Sequence, residues 1–355
     1  MHALESAIGN PLSARASGLL RCPSCKGSVI VDDFGLECPA CSIRYPVVRG
    51  VPILLDEKRS VFRISEFLLT QGKPHVSRNW KSKIRRWLPT LEINLTGRDS
   101  LLRFKKKLLQ ANLHPVVLNI GGKHLGSHSQ VVAGGAEIDC IEAHVALGPR
   151  TNLLADPHAL PFADASLDAI IIDAVLEHMF NPAEVVDELF RVLKRDGLVY
   201  SDTPFMVQVH GGAFDFQRFS HLAHRRLFRK FSEIESGVSC GPASALAVSL
   251  QAFLLSFVRA PNARTVVKGF CCLTLFWLKY FDYLLVNQPG SIDAALGTYF
   301  VGQKSTQTLD DRELLRQYRG NTANLYPMPL DVAEPAGSLA TRHLWPSRAD
   351  GAIQR

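Results

Sequence analysis

The sequence contains Cys22-Pro23-Ser24-Cys25 and, twelve residues further on, Cys38-Pro39-Ala40-Cys41. Each C-x2-C turn lets two thiolates converge, and two such turns close a tetrahedral shell with metal–sulfur bonds of about 2.3 Å. Strand-like sequence separates them, Ser28 to Asp32 and then Leu36-Glu37. A shell filled by four protein ligands has no position for water or substrate. The spacing therefore predicts structural Zn2+ held by Cys22, Cys25, Cys38 and Cys41. The other four of the eight cysteines are scattered or adjacent. That usage fits a reducing compartment better than a disulfide framework.

At 355 residues and 46% apolar content, the chain is long enough for two domains and a large core. It shows no uncharged apolar run of membrane-spanning length and no signal-peptide pattern at its start, so a cytoplasmic location is expected. The net charge of +7 is concentrated in residues 56–110, with 14 Lys/Arg against 5 Asp/Glu. Lys81, Lys83, Arg85 and Arg86 form one cluster, and Arg103 with Lys105 to Lys107 forms another. Such clusters fit either a phosphate-bearing partner or a solvated linker helix.

Val116 to Ile120 is a β-branched apolar run closed by Gly121-Gly122, the pattern of a buried parallel strand and a tight turn that delivers a ligand to a helix N-terminus. Ala136 to Glu142 reads as a second strand ending in acid, where a carboxylate can accept ribose hydroxyls. The block Asn152 to Ile172 gives two further strands. Val185 to Lys194 then has the apolar spacing of a helix, and Gly197 to Thr203 is another strand. Alternation of this kind predicts a doubly wound parallel sheet with ligands at its C-terminal edge.

The segments Asp156-Pro157-His158-Ala159-Leu160-Pro161-Phe162, Val175-Leu176-Glu177-His178 and Arg191-Val192-Leu193-Lys194 closely resemble the type-11 family of S-adenosylmethionine (SAM) dependent methyltransferases. The resemblance runs from about residue 115 to 235. It implies a class I, Rossmann-like seven-stranded α/β sheet with SAM as cofactor. It further implies that Gly121 and Gly122 line the methionine part, that Glu142 or Asp139 holds the ribose, and that Asp156 sits by the adenine, with Leu160 and Asp173 beside them. Two departures stand out. Asn119 occupies a position where the family has an acid, and Lys123 one where it has glycine; Lys123 is expected to meet the SAM carboxylate instead. Residues 18–56, with the run YPVVRGVPILL, resemble the small zinc-ribbon family that activates methyltransferases as a separate subunit.

In the loop after the fifth strand, His210 is the candidate base for the methyl acceptor, with Asp215, Arg218 and His221 facing substrate. Phe231 to Val238 and Gly297 to Lys304 are expected as the last two strands, the final one antiparallel. Between them lie two apolar helices, Ser244 to Val258 and Val266 to Val286, interrupted by Lys268, Lys279 and Asp282. They read as a lid or hydrophobic wall, with a membrane-surface contact through 243–286 as the further option. The expected organisation is a ribbon over 18–56, a basic helical linker over 57–112, a methyltransferase domain over 113–305 with an apolar helical insertion over 243–290, and a largely disordered tail over 306–355. The expected activity is methyl transfer to an oxygen or nitrogen of a small-molecule, lipid or glycan acceptor. RNA methylation through the basic linker, or a catalytically weakened SAM-binding assembly module, stays open.

Overall fold

A computed structural model of the chain describes residues 11–32, 35–69, 88–121, 130–133 and 135–321. The basic residues Lys81, Lys83, Arg85 and Arg86, the loop residues Gly122 and Lys123, and the tail beyond residue 321 lie outside them. The N-terminal strands β1 (Ile30–Asp32), β2 (Gly35–Cys38) and β3 (Ile43–Tyr45) form an antiparallel three-stranded sheet. The short strands β4 (Val47–Val48) and β5 (Val51–Leu54) follow, and then β6 (Val116–Gly121), β7 (Asp139–His144), β8 (Leu153–Ala155), β9 (Leu167–Asp173), β10 (Leu193–Pro204), β11 (Phe231–Cys240) and β12 (Gly297–Lys304).

Where seven strands are expected, the large sheet has nine, in the order β11-β12-β10-β9-β6-β7-β8-β5-β4. The two extra strands come from the end of the ribbon segment. Every residue of β5 is buried, and such an apolar run needs a partner on the sheet. It pairs parallel with β8 through Ile53↔Leu154 and Leu54↔Ala155. The neighbouring strands from β8 to β10 are parallel, while β12 runs antiparallel between β10 and β11.

Strands buried on both faces read as largely apolar runs, as β6 and β9 do, with Asn119 and Asp168 as their polar interruptions. One face of the sheet carries Leu118, Ile120, Ile170 and Ile172 against Val185, Val186, Leu189 and Val192 of the helix Pro182–Val192. Asn181 caps that helix by accepting the Glu184 amide, with Pro182 in its first turn. The opposite face carries Val117, Ala169, Ile171 and Tyr200 against Leu101, Phe104 and Leu108 of the helix Gly97–Ala111. Of the basic linker drawn over 57–112, this helix is therefore part of the core. Its apolar spacing puts one stripe on the sheet and leaves the basic residues outside.

The N-terminal segment with the three-stranded sheet is docked on the same body. Leu20 bridges to Phe162, and Arg21 donates its amide to the Pro161 carbonyl at 2.9 Å. The insertion consists of the helices Pro242–Ser256 and Pro261–Leu275 followed by short turns, so its second long helix ends at Leu275 rather than Val286. Asp282 and Lys279 are tethers. The Asp282 carboxylate caps the first helix at Ala243 N (2.8 Å) and Ser244 N (3.0 Å), and Lys279 Nζ donates to the Thr90 carbonyl at 2.9 Å. Residues 306–321 of the expected tail are docked as well. Arg225 donates to the Gln317 carbonyl (3.0 Å), Tyr318 to Asp293 (2.7 Å) and Arg319 to Glu233 (2.7 Å). Among the described residues, no helix is long and apolar enough to cross a membrane.

Candidate active site

The parallel register sets the C-terminal ends of β6, β7, β9 and β10 side by side: Asn119 pairs with Glu142, Gly121 with Asp173, and Asp173 with Asp202. Gly121 has φ +95°, and a Cβ there would lie 2.4 Å from the Asp173 carbonyl oxygen. Only glycine fits this turn. Glu142 accepts from Asn119 Nδ2 at 2.8 Å and from the Arg150 guanidinium. Burial raises its pKa, and the Arg150 charge and the Asn119 bond oppose that rise. Gly121, Glu142, His144, Gly148 and Arg150 line one cleft. Burial, with the Glu177 charge adding, pushes Asp173 up to about 6.

Four further predicted cofactor and substrate positions are placed as follows. Asp139 stands at the far end of β7, level with Val116, where Ser13 Oγ donates to it at 2.5 Å. A strand advances about 3.3 Å per residue, so it cannot share a site with Glu142. Leu160 is buried in the main core, with its amide on Glu188 (2.8 Å) and its carbonyl on Arg191 (3.0 Å). Asp156 is also buried and is taken up locally: Ser60 Oγ donates at 2.5 Å, and His158 contributes its amide (3.0 Å) and Nδ1 (2.7 Å). Burial alone would raise the Asp156 pKa, but these bonds hold it below the usual range. His221 is buried against Ser236 (Nε2 to Oγ, 2.9 Å), beside Arg225 and Arg319.

Asp215 and Arg218 face each other. The Arg218 guanidinium binds the Asp215 carboxylate and the carbonyls of Val207 (2.9 Å) and Gln208 (3.1 Å), and Asp215 accepts the His210 amide at 2.7 Å. Together they knot the loop after β10 and thereby present His210, whose side chain is 45% exposed. Sequence reasoning gave no site role to Glu177 or His178, yet the structure brings both to His210. The Nε2 atoms of His178 and His210 each lie 3.6 Å from Glu177 Oε1. Nothing in a single sequence distinguishes a buried Glu177 from an exposed one.

The four ribbon cysteines converge as predicted, all Sγ atoms lying within 4.8 Å of one another. Separations are 3.4 Å for Cys25–Cys38, 3.6 Å for Cys22–Cys41 and 3.7 Å for Cys25–Cys41. The edge of a zinc–thiolate tetrahedron is about 3.8 Å. Tyr45 Oη lies 3.1 Å from Cys22 Sγ, and the Gly27 amide donates to Cys25 Sγ at 3.4 Å. Such outer bonds fix thiolate ligands, so the donor set fits a tetrahedral metal ion.

Residues 134–201 match a family model described as a methyltransferase domain, of type 11. The matched stretch carries β7, β8, β9 and most of β10. No curated protein matches the chain in sequence. Solved structures similar to it include the 4+2 cyclase SpnF (14% identity, 58% of this chain and 81% of that one, TM-score 0.37). Another is a complex between the Haloferax volcanii Trm112 methyltransferase activator and a protein described as a methyltransferase (16%, 64% and 96%, TM-score 0.34). A third is Haemonchus contortus phosphoethanolamine N-methyltransferase 2 with S-adenosyl-L-methionine (12%, 57% and 53%, TM-score 0.35). The sheet is thus of the α/β methyltransferase kind, with mixed strands and a methyltransferase-domain sequence across its centre.

Proposed function

We propose that this protein is a SAM-dependent methyltransferase acting on an oxygen or nitrogen of a small-molecule, lipid or glycan acceptor, with a structural zinc ion in its ribbon. The observation that carries this reading is the methyltransferase-domain match over 134–201, because it spans the strands whose C-terminal ends assemble Glu142 and Asp173 beside Gly121.

The residues present fit an adenosine-bearing ligand. Gly121 keeps the end of β6 free of side chain, and the Glu142 carboxylate, steadied by Asn119 and Arg150, is the acceptor for ribose hydroxyls. When bound, SAM supplies a methyl group already activated on a sulfonium. The protein's own task is then to orient the acceptor and exclude water. Glu177, His178 and His210 form the acceptor side, just beyond the ends of β9 and β10. The insertion supports an apolar acceptor or a membrane-surface contact, because Phe253, Phe257, Phe270 and Trp277 point outward and are at least half exposed.

The test is calorimetric titration of the zinc-loaded protein with S-adenosylhomocysteine. One site per chain is expected, weakened about tenfold or more in Glu142→Ala. Absence of binding in the unmodified protein would overturn the enzyme reading in favour of an assembly module.

A further inference from the structure

Glu177 is the most unusual acid in the fold. Its side chain is fully buried, and neither carboxylate oxygen has a hydrogen-bond partner. An ionised carboxylate stripped of water is costly to bury unless a cation or donors compensate it. The two imidazole Nε2 atoms of His178 and His210 each stand 3.6 Å from Oε1.

The surroundings of both imidazoles favour the hydrogen on Nδ1, with Nε2 facing Glu177. His178 Nδ1 is 2.6 Å from the Phe214 carbonyl oxygen. That oxygen can only accept, so Nδ1 carries the hydrogen and Nε2 is free to ligate. His210 Nδ1 has two acceptors, the Gln208 carbonyl and Asp215 Oδ2, each at 3.4 Å. The one donor near it, Arg218 at 3.4 Å, is already committed to Asp215 and to the Val207 and Gln208 carbonyls. A histidine whose far nitrogen is held by a carbonyl or carboxylate is the usual outer arrangement of a metal ligand. The loop is also shaped to seat on this pair: a Cβ on Gly211 would lie 2.6 Å from His178 Cε1.

We infer that Glu177, His178 and His210 bind one divalent transition-metal cation, separate from the ribbon metal. The three ligand atoms lie within 4.8 Å of one another. Two ligands of one ion at about 2.1 Å stand about 3.0–3.4 Å apart, so the 3.6 Å contacts need only a small closing movement. Two imidazoles and a carboxylate without thiolate suit borderline ions such as Mn2+, Fe2+, Co2+ or Zn2+. Unlike the four-cysteine shell, three protein ligands do not saturate such an ion. The side chains of His178 and His210, 24% and 45% exposed, give it a path from solvent.

Resting on the methyltransferase reading, the open positions take a hydroxyl oxygen of the acceptor and lower its pKa, the proton leaving to solvent. His210 is then a ligand and not the free base that the sequence predicts, because its Nε2 lone pair is used. The ion-free account is a direct contact of His210 with Glu177 and no cation between them.

The two accounts separate in a metal titration. The full-length, zinc-loaded protein is stripped of loosely held ions and titrated with Mn2+, free ion being followed by electron paramagnetic resonance. Co2+ absorption serves as a second probe. One ion per chain is expected. His178→Ala and His210→Ala should each weaken binding at least about tenfold, and Glu177→Gln should abolish it. Because Glu177→Gln can also disturb folding, the two partly exposed histidines are decisive, with thermal unfolding as the control. No binding of either ion, or unchanged binding in both histidine variants, would overturn the site. S-adenosylhomocysteine binding is measured on the same samples, so failure of the metal site is distinguishable from failure of the methyltransferase reading.

Discussion

Lys26, in the turn that follows the first cysteine pair, reaches Glu188 of the helix Pro182–Val192 with Nζ 3.1 Å from Oε2. Glu188 is 8% exposed and also accepts the Leu160 amide at 2.8 Å and the Arg191 guanidinium at 2.7 and 2.9 Å. One carboxylate thus ties together the ribbon, the turn after β8 and the sheet-covering helix.

The two partners do not share the benefit equally. Burial, joined by the Arg191 charge, lowers the Lys26 pKa despite Glu188, whereas the Arg191 and Lys26 interactions hold Glu188 below its usual range despite burial. Glu188→Ala should therefore cost about 2–3 kcal/mol, since it leaves Arg191 and the Leu160 amide without their acceptor. Lys26→Met should cost less than about 1 kcal/mol. Urea unfolding of both variants checks this, and equal losses would refute the asymmetry.

Removal of the zinc ion proposed for the four-cysteine cluster should act far from that cluster. Leu20, Cys22, Cys38 and Tyr45 belong to the same core cluster as Phe162, Leu160 and Leu54, so a ribbon opened by chelation exposes part of the main core. Treatment with a strong zinc chelator should release one zinc per chain, or one more if the second site is also filled. It should lower the unfolding temperature by roughly 5 °C or more. Cys38→Ser should reproduce the shift without chelator. Metal release that left thermal stability unchanged would mean that the ribbon is energetically independent of the sheet.

Some of this organisation is legible in the sequence because its cause is local. The paired C-x2-C turns dictate the thiolate cluster, and the β-branched and aromatic runs beginning at Val116 and Gly297 dictate β6 and β12. Register is less local. The second strand starts at Asp139, three residues later than its sequence implies, so Asp139 stands at its beginning, level with Val116. Leu160 and Asp156 are illegible for another reason. What they touch is set by segments distant in the chain, Glu188 and Ser60, and no periodicity encodes such contacts. The same holds for the burial of Glu177, which depends on the loop knotted by Asp215 and Arg218 after β10.

Acid should weaken the fold through two histidines that the sequence leaves indistinguishable from exposed ones. His221 and His224 are buried, 4% and 0% exposed. His224 Nε2 lies 2.8 Å from Ser201 Oγ, and His221 Nε2 lies 2.9 Å from Ser236 Oγ. Burial, joined by the Arg225 charge for His221 and by His221 itself for His224, lowers both from 6.5 to about 3. Between those two values the unfolded chain takes up protons that the folded chain refuses, so folding stability rises with pH there. The contribution is fully present above about 6.5 and declines as pH falls toward 3, by about 1.4 kcal/mol per pH unit for each histidine. His224→Gln removes one of the two titrations while keeping a group able to reach Ser201. The urea midpoint of the variant should therefore fall less steeply than that of the parent between pH 6.5 and pH 5. An identical slope would show that the imidazole at 224 is protonated in the folded state, in conflict with its burial between Ser201 and Thr298.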